Sequence, residues 1–255
     1  MIGAIIGDVI GSRFERHNTK TKDFELFTPQ SRFTDDTVLT VAVADAILNG
    51  LDYEETIRKY AQQYPHAGYG GTFKQWAMGL IEGPYNSWGN GSAMRVSPVG
   101  FAFNTKEEVL AEAKKTADVS HNHPEGVKGA QAIALGVFLA KQGKTKEEIK
   151  SEIVLESGYD LDRTIDQIRP DYRFDVSCAG SVPEAIISFL ESTDFEDAIR
   201  TAISLGGDSD TIACMAGALA EAFYDGVPEK MEEEALNRLP EGFRAIISEF
   251  EAQYG

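Results

Sequence analysis

Through much of this chain apolar residues recur at i, i+3, i+4 and i+7, the spacing of a buried stripe on an α-helix. The pattern predicts four strongly apolar helices, over 35–50, 125–143, 181–192 and 210–226, and several of these runs close at a glycine, as helix C-caps do. Shorter amphipathic helices are predicted over 53–63, 73–81, 106–117, 145–155, 194–204 and 241–252. No series of alternating strands is present, and the alanine- and glycine-rich runs TVAVADA and GAIIGDVIG suit close helix packing better than a sheet. The expectation is an all-α fold: one compact orthogonal bundle of ten or more helices spanning residues 1–255. The four helices that are apolar nearly all round should form its centre, with the charged ones covering them. The least regular stretches are 16–33, 64–72, 82–92 and 156–180.

Composition sharpens the picture. A chain of 255 residues can bury one large core. The balance of 24 basic against 41 acidic residues gives a net charge of -17, a surface that repels nucleic acids and anionic membranes. Cys178 and Cys214 sit in apolar helical patterns without metal-type spacing, so both read as buried packing residues in a reducing compartment. With no signal-like N-terminus and no long apolar run, a cytoplasmic protein is expected, acting as a monomer.

Two acidic clusters carry the candidate chemistry. In FTDDT, Thr34 is placed to cap a helix with Asp35 and Asp36 in its first turn. In GGDSDT, Asp208 is the expected cap, with Asp210 and Thr211 following. Capping alone explains either cluster taken singly, since the helix dipole favours acidic groups there by roughly 0.3 to 1 kcal/mol. Capping needs only one side chain, however, and each cluster offers two carboxylates and a hydroxyl. If the two helix starts met, each like-charge pair would cost on the order of 3 kcal/mol at an effective dielectric of about 20. Two divalent cations would relieve that repulsion, and an all-oxygen donor set favours Mg²⁺ or Mn²⁺ over zinc. No local rule fixes whether the clusters meet.

The stretches GAIIGDVIGSRFE (3–15), FTDDT (33–37), WGNGSAMRVSPVG (88–100), SHNHPEGVKGAQA (120–132) and 204–226 stand in the order of the landmarks of the ADP-ribosylglycohydrolase family, which the chain resembles over nearly its whole length. The resemblance implies a binuclear hydrolase that uses two Mg²⁺ or Mn²⁺ ions to cleave ADP-ribose from an acceptor. It implies Thr34, Asp35, Asp36, Asp208, Asp210 and Thr211 as metal ligands, Glu15 as a catalytic carboxylate or substrate gate, and Asp36 or Asp208 as the further catalytic carboxylate. Ser87, Trp88, Gly89, Asn90, Gly91 and Ser92 correspond to the loop that contacts ADP-ribose, where glycines and a helix starting near Ser92 would receive the diphosphate. His121 matches a ligand-contacting histidine, whereas His123 is left as a polar residue at a helix start.

Asp8 is expected to be structural. Arg95 is expected to pair either with a ligand phosphate or with a buried carboxylate, and Tyr159, Tyr172 and Phe174 are candidate adenine contacts. The segment 16–33 between Glu15 and Thr34 is shorter than in relatives with long lids, which suggests an open site suited to ADP-ribosylated protein. The alternatives are hydrolysis of free ADP-ribose conjugates, a non-catalytic ADP-ribose reader, and a phosphoesterase built on the same aspartates.

Overall fold

In a computed structural model describing residues 1–255, the chain forms fifteen helices and no strand beyond an isolated bridge between Gly89 and Ser177. In chain order they are α1 (Ile2–Gly11), α2 (Asp35–Asn49), α3 (Tyr53–Gln63), α4 (Gly71–Ala77), α5 (Gly91–Met94), α6 (Ser97–Ala102), α7 (Lys106–Asp118), α8 (Pro124–Lys141), α9 (Lys146–Ser157), α10 (Ile165–Ile168), α11 (Cys178–Leu190), α12 (Phe195–Ser204), α13 (Ser209–Phe223), α14 (Glu229–Leu236) and α15 (Glu241–Tyr254).

Local rules account for most boundaries. Thr34, Asp52, Asp194 and Ser177 accept backbone N–H bonds at the starts of α2, α3, α12 and α11. Thr105 with Glu108 and Thr145 with Glu148 form reciprocal capping boxes at α7 and α9. Gly50 ends α2 in the left-handed conformation expected of it. Differences from the sequence expectation also have local causes. α11 begins three residues early because Ser177 caps it, leaving Pro183 inside the helix. α4 stops at Ala77 because the chain turns through Gly79 at φ 76°. α14 escapes the periodic pattern because only Met231 and Ala235 of its eight residues are buried.

The centre is built from α13, which packs against α1, α12, α11 and α8, while α2 joins α1 to the α3 and α15 side. One continuous core of 70 buried residues results, and Cys178 and Cys214 lie within it as free thiols. No helix is long and apolar enough to cross a membrane.

The α1–α13 contact positions the site. Gly3, Gly7 and Gly11, spaced one turn apart, lie directly on the backbone of α13: a Cβ on Gly11 would come within 2.5 Å of Asp210 Cα, and one on Gly7 would overlap the Ala213 carbonyl. With no side chain between the two backbones, Asp8 is carried up to the acidic start of α13.

Candidate active site

Both acidic helix starts reach the same place. Asp8 accepts hydrogen bonds from Thr34 N (2.8 Å) and Thr37 N (3.1 Å) and from the Thr37 hydroxyl, which fastens the beginning of α2 to α1. Thr34 Oγ1 stands 2.6 Å from Asp8 Oδ1 and 3.1 Å from Asp36 Oδ2. From 175 residues further along, Thr211 Oγ1 reaches the same Asp36 oxygen at 3.4 Å. Carboxylate oxygens of Asp8, Asp36 and Asp210 lie within 4.8 Å of one another, and all three residues are buried. Asp208, at the N-cap position of α13, accepts from Asn90 Nδ2 at 2.7 Å.

This cluster cannot stay ionised by itself. At its spacing each pair of charges repels by roughly 3 to 4 kcal/mol at an effective dielectric of about 20, and a few such pairs rival the stability of a whole domain. Burial, compounded by Asp8, therefore pushes Asp35 up to about 8. Burial raises Asp208 to about 6, against the opposing bond from Asn90. Asp36 and Asp210 are held well above the carboxylate range by burial and by their acidic neighbours. Asp36 Oδ1 is buried without any hydrogen-bond partner. An orphaned oxygen amid unneutralised carboxylates and two threonine hydroxyls is a donor set that suits hard divalent cations, so the residues present fit the implied metals.

The sign of the pH effect follows. Asp208 and Asp35 have folded-state values above the roughly 3.9 of an unfolded aspartate. Their neutral forms therefore favour the fold at low pH, and that contribution is lost as pH climbs through about 6 and then about 8. In chelator the unfolding free energy is expected to fall between about pH 4 and pH 8, by up to about 1.4 kcal/mol per pH unit for each group titrating, and the unfolding temperature to fall with it. Added Mg²⁺ should flatten the fall. A metal-free melting temperature independent of pH would contradict this electrostatic picture.

The cluster forms the floor of a cavity of about 570 Å³, a size that suits a nucleotide-like ligand. Thr34, Asp35, Asp36, Asp208, Asp210 and Thr211 all line it, as do Glu15, Ser87, Trp88, Gly89, Asn90, Gly91 and His121. Glu15 is half-buried, and its carboxylate makes no hydrogen bond within the protein. Trp88 and Phe174 are each 52% exposed on the cavity wall.

Several expectations are corrected. Ser92 does not line the cavity: the first turn of α5 sends it inward, where it is fully buried and donates to Gly126 O at 2.7 Å. α5 has only four residues, too few to offer the helix-end field expected near Ser92. Arg95 meets neither phosphate nor carboxylate. It is fully buried, and its Nη2 donates to Thr116 O (2.6 Å) and Ser120 Oγ (3.0 Å). Ser120 Oγ in turn lies 2.8 Å from His121 Nδ1, while burial and the nearby Arg95 charge hold His121 neutral by pushing its pKa well below the usual range. Nε2 of His121 has no protein partner and lies beneath Gly91, where a Cβ would approach to 2.9 Å. Of the three aromatic candidates only Phe174 faces the cavity; Tyr159 is buried elsewhere and Tyr172 donates to Gly180 O. Asp8, expected to brace a helix end, does so and also enters the carboxylate cluster.

The wall formed by the segment 66–73 was not anticipated. Its carbonyl at Ala67 accepts Asp35 N at 2.9 Å, and Gly68, at φ 118°, lies so close that a Cβ would stand 3.0 Å from Asp35 Oδ1. The glycine density of HAGYGG was the available sign, because only glycine tolerates both that backbone and that approach.

The ADP-ribosylglycohydrolase family model matches residues 1–253. The chain is 29% identical over 316 residues to human ADP-ribosylhydrolase ARH3, an alignment covering 91% of this chain and 87% of that protein. It is 25% identical over 293 residues to ADP-ribosylarginine hydrolase Tri1 of Pseudomonas putida (strain GB-1), covering 94% and 78%. Among solved structures, an ADP-ribosylglycohydrolase-related protein complex shares the fold with a TM-score of 0.70 at 21% identity, covering 100% of this chain and 97% of that one.

Proposed function

The chain belongs to the ADP-ribosylglycohydrolase family, and from that premise we infer a binuclear metal-dependent enzyme that reverses mono-ADP-ribosylation of a protein side chain. It is an ADP-ribosylhydrolase, acting on the glycosidic bond of ADP-ribose. The finer reading takes arginine or serine as the acceptor. The observation that carries it is the meeting of two Asp–Thr helix starts on one Asp36 oxygen, at the floor of a cavity whose rim bears Glu15. The same reading treats residues 1–255 as one domain, working as a monomer in the cytoplasm.

Thr34, Asp35, Asp36, Asp208, Asp210 and Thr211 would hold two Mg²⁺ or Mn²⁺ ions, with Asp8 bracing the set. When bound, such ions neutralise the carboxylates and orient ribose hydroxyls. The chain supplies the rest. Cleavage passes through an oxocarbenium-like state, which the carboxylates of Asp36 and Asp208 stabilise from below. Glu15, free of any anchoring bond, takes the proton of the attacking water as the bond from the anomeric carbon to the acceptor breaks and delivers it to the departing nitrogen or oxygen, so that ADP-ribose gains the hydroxyl and the acceptor leaves protonated. His121 Nε2 and the glycine turn at 89–91 meet the diphosphate with neutral donors, and Trp88 and Phe174 enclose the apolar parts of the ligand.

The test is incubation with Mg²⁺ and arginine- or serine-ADP-ribosylated peptides, with products identified by mass. Intact peptide plus free ADP-ribose is expected. Release of AMP or phosphate would instead indicate a phosphoesterase, and tight binding without turnover a reader. Glu15→Gln is expected to lower kcat by about a hundredfold while calorimetric Mg²⁺ binding is retained; undiminished turnover would remove Glu15 from the mechanism.

A further inference from the structure

Glu15 poses a positioning problem. Its carboxylate has no hydrogen bond to hold it, so its place over the acidic floor is set by its backbone alone, at the edge of the irregular segment 16–33. One side chain fixes that backbone. Asn18 Nδ2 donates to Phe14 O (2.6 Å) and Glu15 O (3.1 Å), and to the distant Gly207 O (3.0 Å). Its Oδ1 accepts Gly207 N at 2.9 Å. An amide presents a donor and an acceptor side by side, so it can pair with the N–H and the C=O of a single residue, as a neighbouring strand would.

The residue so gripped stands immediately before Asp208, in a turn where Gly206 and Gly207 adopt φ 71° and 79°. Asn18 thereby spans 189 residues of sequence to lock the Glu15 backbone to the Asp208 backbone. Lys20 reinforces the lock, donating to Arg169 O and Tyr172 O, both at 2.9 Å, and to Leu205 O just upstream of the same turn. Asp208 has an independent anchor in Asn90; Glu15 has none.

We propose that Asn18 is the positioning residue for Glu15, holding its carboxylate at a fixed place relative to Asp208 through the paired bonds to Gly207. Residues 18–20 thus bracket the Glu15 and Asp208 backbones together. The proposal rests on the reading that Glu15 acts in hydrolysis. A carboxylate displaced by about 1 Å can lose up to a hundredfold in rate, whereas the metal ligands, tied by their own bonds, should be spared.

The experiment is a kinetic double-mutant cycle on the Mg²⁺-loaded full chain, with an ADP-ribosylated peptide as substrate. Asn18→Ala is expected to lower kcat by about tenfold or more, with KM and calorimetric Mg²⁺ affinity within about twofold of the parent. The isosteric Asn18→Asp keeps the acceptor for Gly207 N and loses the donors, so it should show the same kcat loss. Retained Mg²⁺ affinity and melting temperature establish that each variant is folded. In a Glu15→Gln background, Asn18→Ala should change kcat by less than about twofold, because the group it positions has already gone. Additive losses, or a parallel fall in Mg²⁺ affinity, would overturn the proposal while leaving Glu15 in the mechanism. An undiminished Glu15→Gln rate would defeat the underlying reading, and the proposal with it.

Discussion

Replacing Asp36 by asparagine is expected to cost about a thousandfold in kcat/KM at saturating Mg²⁺, equivalent to roughly 4 kcal/mol of transition-state stabilisation, and at the same time to raise the melting temperature of the metal-free protein. The two effects have one origin. Asp36 Oδ2 is the point where the Thr34 and Thr211 hydroxyls meet, and Oδ1 is buried with nothing to accept from. Without cations, the fold tolerates this carboxylate only by keeping it protonated beside Asp8, Asp35 and Asp208. An amide of the same size is neutral in both folded and unfolded chains, so folding without cations no longer requires proton uptake at this position, but it also removes a donor at the centre of the cation-binding set. Activity within about tenfold of the parent, or a metal-free variant that melts lower, would show that Asp36 is not the shared ligand.

The second large effect is expected at Gly7. Alanine there should destabilise the protein by about 3 kcal/mol or more, read by urea unfolding, because overpacking is costly when the obstruction is backbone rather than a movable side chain. A Cβ at Gly7 meets the Ala213 carbonyl, and Gly217 returns the same close approach on Gly3. The structure can relieve the overlap only by moving α1 away from α13. That motion separates Asp8 from Asp210, so Mg²⁺ affinity should fall together with stability. Gly242→Ala in α15 is the control: a Cβ there meets nothing, and the lost chain entropy should leave stability unchanged or slightly improved. Equal stability of the two variants would mean that α1 and α13 are not in backbone contact.

What the sequence made legible was local. The cap at Thr34, the left-handed Gly50 and the ranges of the long helices follow from rules that operate within a few residues, whereas Asp208 holds the N-cap position of α13 without a side-chain capping bond, its carboxylate being turned to Asn90. The meeting of 33–37 with 208–211 depends on how α1, α2 and α13 cross, which no local rule supplies; only the ordered family landmarks suggested it. The glycines at 3, 7 and 11 did carry one-turn spacing, so the close helix packing inferred for GAIIGDVIG was visible, although its partner was not. The errors at Ser92 and Arg95 share a cause. A motif read as a continuous contact surface is broken by the turn of α5, which sends its later members into the core. Segment 66–73 was missed because its tie to the acidic cluster is a backbone bond, Asp35 N to Ala67 O, and because the spacing of His66, Thr72 and Phe73 marks no site.

The seating of α1 has a consequence for biosynthesis. α1 is buried along its whole length, and its principal partner begins only at Ser209. Until that partner is translated, a mostly apolar segment has α2 but not its main covering surface, and contacts so distant along the chain form slowly. A chain that ends before α13 is therefore expected to aggregate rather than to fold as a weakened enzyme.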